Sequence, residues 1–144
     1  MKTIELAVKN DFHEIDQLLL SNSLPAIEPA YANSFFFKAI KDQDKIVGAI
    51  GIEIYGKYGL LRSLVVEPEY RNQGIANHLV EKLIKHAQNS NIETLFLLTT
   101  TADKYFEKKE FQRIHRDEVP NEIKQSSEFK SICPVSAIVL KKQL

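Results

Sequence analysis

Residues 65–80 read VVEPEYRNQGIANHLV, and the stretch changes character halfway. Val65 and Val66 close a β-branched apolar run, Glu67-Pro68 break it, and after Gly74 apolar residues return at helical spacing. Between them lie Arg71-Asn72-Gln73-Gly74. A helix begins with backbone N–H groups that have no intrahelical acceptor, and its dipole is positive there. An anion binds well at such a point. Gly74 lets the backbone come close to a bulky phosphate, and Ala76 is small on the same turn. Arg71 adds a permanent charge and a forked donor. Taken singly, a glycine here is also an ordinary turn residue and an exposed arginine an ordinary solvated charge. Together they predict a strand, an anion-holding turn and a helix.

Working outward, Ile75, Leu79, Val80, Leu83, Ile84 and Ala87 share one side of that helix. Thr94 to Thr99 (TLFLLT) reads as a buried fifth strand. Upstream, Ile4, Leu6 and Val8 alternate as a first strand. Asp11 and Glu14 fit a capping box before a helix with Phe12, Ile15, Leu18 and Leu19 on one face. Leu24-Pro25 ends it, and residues 25–34 read as loop. Phe35 to Ile40 and Ile46 to Tyr55 form a hairpin about Asp42-Gln43-Asp44, and Leu60 to Val66 a fourth strand. Downstream come a short helix over Ala102 to Lys109, a sixth strand over Phe111 to Ile114, and a last strand over Val135 to Leu140 closed by Lys141 and Lys142. Arg116 to Cys133 is polar and resists assignment. A helical crossover makes strands four and five parallel. The expected fold is α/β (α+β): a single mixed sheet of about six or seven strands with helices on both faces, in one domain over residues 1–144.

The composition, 44% hydrophobic and 26% charged, is that of an ordinary globular chain. Nineteen basic and nineteen acidic residues cancel. No whole-molecule field then draws in nucleic acid or an anionic membrane, and an anion site must be local. One cysteine, Cys133, excludes an internal disulfide and a multi-cysteine metal site, so no metal is expected. No apolar run reaches membrane-spanning length, and the N-terminus is unlike a signal peptide. A cytoplasmic chain is the expectation.

Arg71-Asn72-Gln73-Gly74-Ile75-Ala76 resembles the Arg/Gln-x-x-Gly-x-Gly/Ala motif of the GNAT N-acetyltransferase superfamily, and it falls at the same point of the strand order. Leu61 to Tyr70 is similar to that family's fourth strand and following loop. The resemblance implies acetyl-CoA as cosubstrate, with Leu64, Val65, Val66, Arg71, Asn72, Gln73, Gly74, Ile75, Ala76 and Phe106 as cofactor-binding residues. It also implies that strands four and five splay apart around the pantetheine arm. The threonine run Thr99-Thr100-Thr101, the pair Tyr105-Phe106, Pro120, Ser127-Glu128-Phe129 and Cys133-Pro134-Val135-Ser136-Ala137 look like GNAT proteins of arsenic-resistance operons. The threonines and aromatic pair also resemble the acetyltransferase domain of N-acetylglutamate synthases. This implies a small amino-acid-like amine as acceptor, an organoarsenical or phosphinic analogue included.

The expected reaction is acetyl transfer from the CoA thioester to a neutral amine. A backbone N–H near Leu64 to Val66, with Val66 the chosen donor, should meet the oxyanion. Arg62 is an expensive charge in an apolar strand: either it reads an acidic group on the acceptor, or it pairs with Glu53. Alternation puts it on one face with Leu60 and Leu64. Ser63, Thr99, Thr100 and Thr101 are acceptor-side candidates, or ordinary strand threonines with a cap at Thr101. Many GNATs carry a tyrosine acid five residues before the aromatic that opens strand six. Counting back from Phe111 gives Phe106, which has no proton to give. Tyr105 is the neighbouring candidate, turned by about 100° along the helix; otherwise thiolate leaves unaided. Glu53 and Glu28 are candidate bases acting through water. His13, His78, His86 and His115 read as peripheral, and Cys133 as a small structural side chain.

Rival readings are a CoA-binding sensor without catalysis, prompted by Phe106 and Glu110, and glutamate N-acetylation. The lack of an attached amino-acid-kinase-like domain speaks against a complete fused synthase. The apolar third and fourth strands raise the expectation of a homodimer.

Overall fold

The computed structural model describes residues 2–26, 34–42, 44–126, 129 and 137–144. Among these, β1 (Thr3–Leu6), β2 (Ser34–Lys41), β3 (Lys45–Tyr55), β4 (Tyr58–Val66), β5 (Thr94–Thr99), β6 (Gln112–Ile114) and β7 (Ile138–Gln143) form one sheet in the order β1-β2-β3-β4-β5-β7-β6. Only β4 and β5 run parallel, joined by α2 (Ile75–Asn89) as the crossover. The other helices are α1 (Phe12–Ser21), α3 (Asp103–Lys108) and α4 (Asn121–Lys124).

The sheet is covered on both faces. Ile75, Leu79, Val80, Leu83 and Ala87 of α2 pack with Val47, Ile50, Ile52, Leu61 and Val66, and this core extends to Phe106 and Phe111. On the other face Ile15, Leu18 and Leu19 of α1 pack on Phe36, Ala49 and Val65, while Ile123 of α4 packs on Leu60, Phe96 and Val139. Each fully buried aliphatic of this kind contributes on the order of 2 kcal/mol. The apolar residues of β3 and β4 are largely buried in these cores.

Several boundaries differ from expectation. The first strand stops at Leu6, and Val8 is 59% exposed. The Asp11–Glu14 capping box does not form. Asp11 instead accepts from the Val8 N–H at 2.8 Å, and Glu14 accepts from the Ile46 N–H at 3.0 Å, tying α1 to β3. The last strand continues through Lys141 and Lys142, because its backbone is paired on both sides. Lys142 carries its ammonium out to the Lys109 carbonyl and Glu110. The unassigned stretch contains a 3-10 turn at Arg116–Glu118 and then α4. Glu28, Cys133, Val135 and most of the 25–34 loop lie outside the described residues.

Two irregularities shape the molecule's centre. β4 and β5 pair only over Tyr58–Leu60 against Thr94–Phe96, after which they separate. On its other edge, β4 pairs Val65 with Ala49 but Arg62 with Gly51, so three steps along β4 match two along β3. The extra residue is a β-bulge, and Ser63 sits in the left-handed region at φ 59°. A non-glycine residue there costs on the order of 1 kcal/mol. The bulge also reverses the alternation. Leu64 joins Leu61 and Val66 on the α2 face, rather than sharing Arg62's face as strict alternation required.

Candidate active site

The separated ends of β4 and β5 open into two clefts that meet at Leu24, Leu64, Thr101 and Ala102. The first, of about 590 Å³, runs along the start of α2. The second, of about 370 Å³, lies between the splayed strands.

The first cleft runs beside main chain whose polar groups are open. Glu67-Pro68 ends β4 in a 3-10 turn at Pro68–Tyr70. Asn72 (φ 65°) and Gly74 (φ 80°) then take left-handed conformations that bend the chain into α2. The first intrahelical bond runs from the His78 N–H to the Gly74 carbonyl at 3.1 Å, and no side chain caps the helix. The amides of Ile75, Ala76 and Asn77 are thus left to point out of the helix start beside the cleft. Open space surrounds the position a Cβ on Gly74 would take, the nearest atom being Lys2 Nζ at 4.0 Å.

β4 adds a further open donor. The Glu67 N–H bonds the Val47 carbonyl at 2.8 Å, so the preceding residue, Val66, directs its own N–H and C=O to the opposite edge, which β5 has left. The Val66 carbonyl there accepts from Arg71 Nε at 3.0 Å. Arg71 Nη2 also donates to Asn22 Oδ1 at 3.0 Å, so this arginine braces β4 against the end of α1. Gln73 turns away from the cleft and accepts from Lys41 Nζ at 2.6 Å. Leu64, Val65, Val66, Arg71, Asn72, Gly74, Ile75 and Ala76 all line the first cleft; Gln73 does not.

Tyr105 projects from α3 into the same cleft and donates to Asn77 Oδ1 on α2 at 2.6 Å. Burial, reinforced by the negative charge of Glu81, pushes its phenol above the ordinary value. Phe106, one residue on, is 4% exposed and stacks edge-on between Tyr105 and Phe111. It lines the second cleft, whereas the sequence grouped it with the cofactor.

The second cleft gathers polar residues of β4, the end of β5 and the turn after it. Arg62, Ser63, Thr99, Thr100 and Thr101 line it together. Arg62 is 3% exposed; its Nη1 meets Glu53 Oε2 at 2.5 Å, and its Nε donates to Ser63 Oγ at 3.0 Å. Glu53, 1% exposed, also accepts from the Tyr55 hydroxyl. It lies behind Arg62 and lines neither cleft. The ion pair read as one of two alternatives is therefore present, and Arg62 lines the cleft with its side chain only 1% exposed. Thr99 Oγ1, not Thr101, caps the α3 turn, accepting from the Ala102 N–H at 2.9 Å.

Sequence reading missed Asn22, Tyr70 and Asn77. Asn22 and Asn77 sit at helix ends, where an amide is ordinarily a turn or surface residue. Tyr70 donates to Asp42 at 2.7 Å, a bond that raises its phenol's pKa and that only the folded hairpin creates. No described histidine lines either cleft, and His86 packs against Phe35 and Phe37. Among the described residues no group of three His, Cys, Asp or Glu is placed to hold a metal, and no helix is long and apolar enough to cross a membrane.

Comparison with known proteins agrees with this geometry. An amino-acid acetyltransferase of Pseudomonas syringae pv. syringae is 36% identical over 63 residues, covering 44% of this chain but only 15% of that protein. Among solved structures, Rv2747 from Mycobacterium tuberculosis, in complex with CoA and NLQ, superposes with a TM-score of 0.83 at 20% identity over 99% of each chain. N-acetylglutamate synthase from Neisseria gonorrhoeae, complexed with coenzyme A and N-acetyl-glutamate, gives 0.82 at 20% identity over 100% of this chain and 35% of that one. At such identities these two establish a shared fold. The model of the Acetyltransferase (GNAT) family matches residues 5–111, a span holding both clefts' strands and the α2 turn, and the chain belongs to that family.

Proposed function

We propose that the protein transfers the acetyl group of acetyl-CoA to the amine of a small amino-acid-like acceptor. The observation that carries this reading is the junction of the two clefts at the splay, with open main-chain donors on one side and a buried arginine on the other. The cosubstrate's pyrophosphate lies on the amides of Gly74 to Asn77, and its pantetheine arm follows the open edge of β4. The acceptor enters the second cleft with its carboxylate toward Arg62 and its amine toward the thioester. The amine attacks the acetyl carbon, and the Val66 N–H takes the negative oxygen. The amine must be neutral to attack, and its proton leaves to solvent. The C–S bond then breaks, and Tyr105 is the acid nearest the departing sulfur.

The amino-acid acetyltransferase relative makes free amino acids the first acceptors to try, glutamate among them, with arsenical and phosphinic analogues after. The test is thiol release from acetyl-CoA in the presence of each. Acceptor-dependent release with recovery of the N-acetyl product is expected. Tight acetyl-CoA binding without such release across the panel would favour the sensor reading, for which the hydroxyl-free Phe106 is the motivating residue.

A further inference from the structure

The Tyr105–Asn77 bond joins α3 to α2 within the first cleft, and nothing in the acetyl-transfer scheme accounts for the Asn77 side chain. α3 is only six residues long. It is held at one end by Thr99 and on its outer side by Arg113, which pairs with Asp103 and Glu107. Neither contact reaches the Tyr105 hydroxyl. Asn77, in the first turn of α2, does. Both side chains line the cleft, and the Asn77 main chain supplies the last of the amides assigned to the pyrophosphate.

An amide suits this place for a chemical reason. A tyrosine that protonates a leaving thiolate passes from phenol to phenolate. With ordinary values of about 10 for phenol and about 8.5 for thiol, the transfer is uphill. Glu81, one helical turn beyond Asn77, disfavours the phenolate further. The new anion needs a donor that was not competing for the phenol's proton beforehand. A carboxamide offers both functions: Oδ1 accepts from the phenol, and half a turn about its last torsion presents Nδ2–H to the phenolate. A carboxylate of the same size offers only the first, and an alanine offers neither.

We propose that Asn77 is a positioning residue that aims the Tyr105 hydroxyl and receives the phenolate after proton transfer. This rests on the reading of Tyr105 as the acid. In the step, the C–S bond breaks with its electron pair going to sulfur. The Tyr105 O–H turns from Asn77 Oδ1 to the sulfur and gives up its proton to form S–H, the amide turns so that Asn77 Nδ2–H donates to the phenolate oxygen, and solvent returns the proton to Tyr105 on product release.

The test combines a cycle of Asn77→Ala, Tyr105→Phe and the double variant with an NMR titration of the Tyr105 ring in wild type and Asn77→Asp. The assay uses acetyl-CoA and the amino acid of the panel that turns over fastest. Asn77→Ala should lower kcat about tenfold, a single hydrogen bond's worth, with KM for acetyl-CoA within about twofold. The double variant should be no slower than Tyr105→Phe alone. The Tyr105 phenol should titrate higher in Asn77→Asp, because a fixed negative charge faces it. An unmoved titration, or multiplying kcat losses in the double variant, would overturn the role of Asn77 while a slow Tyr105→Phe left the acid reading standing. A Tyr105→Phe enzyme as fast as wild type would overturn the acid reading itself, and the positioning role with it.

Discussion

The two clefts that meet at the splay are built from different materials. The first offers backbone amides at a helix start and the open edge of a strand; at its rim Arg71 is a brace, holding Asn22 and the Val66 carbonyl, and Gln73 turns away to Lys41. The second is lined by Arg62, Ser63 and three threonines, and the counter-ion of Arg62 is buried with it. A main-chain site demands little of its residues beyond the conformation, so it tolerates most substitutions and fails at the glycine. A side-chain site fails wherever a buried polar group loses its partner.

The largest effect should come from separating the buried pair. Glu53→Ala removes a buried carboxylate bonded to the buried Arg62, and a loss of about 3 kcal/mol is expected in chemical denaturation. Replacing both residues by apolar ones should recover most of it while abolishing acceptor-dependent turnover. Recovery of stability with unchanged acceptor KM would remove Arg62 from the acceptor site.

Next is the glycine that shapes the first cleft. Gly74→Ala and Gly56→Ala both place a Cβ at positive φ in open space, so each should cost about 1 kcal/mol of stability. Only Gly74 lies where the cosubstrate's phosphates belong, and only its variant should weaken CoA binding, by about tenfold in calorimetry. Equal CoA affinity in the two variants would contradict the loop assignment.

Arg71→Ala and Gln73→Ala should do less. Arg71→Ala removes a rim charge and a brace, and a loss of several-fold in CoA affinity, fading with added salt, is expected. Gln73→Ala should stay within about twofold, since its side chain faces Lys41. A larger loss at Gln73 than at Arg71 would reverse the picture of a main-chain cradle.

The smallest effect lies outside both clefts. Burial works to raise the Asp11 carboxyl, but the bond from Lys38, the Val8 N–H and the lysine's charge together hold it below the ordinary value. A depressed carboxyl stabilises the fold above its unfolded pKa and loses that contribution as pH falls through the folded one. For a pair this close to solvent, Asp11→Asn should cost less than about 1 kcal/mol near neutral pH. The difference from wild type should vanish once the pH is below the carboxylate range.

The same contrast explains what could be read from sequence. The turn at residues 71–76 was legible because a main-chain site is written in local signals: a strand break, a glycine and a helical period in one short stretch. Thr94–Thr99 was legible as a compact apolar run with the expected ends. The second cleft is made by contacts between distant residues. Arg62 was visible only as a charge out of place. The bulge at Ser63, which decides what faces what along β4, has no local signature in Leu61-Arg62-Ser63-Leu64. Asn77 and Tyr105 stand 28 residues apart and meet only because β5 returns beside β4. The insertion of β7 between β5 and β6 was likewise beyond reach, since strand order within a sheet is not a property of any one segment.

The central claim is that the open amides of the α2 turn hold the diphosphate of CoA. An amide NMR titration with CoA tests it most directly. The account predicts the largest saturable shifts at Gly74, Ile75, Ala76 and Asn77, with Val66 following on the β4 edge. Saturable CoA binding that leaves these five amides unmoved would contradict it.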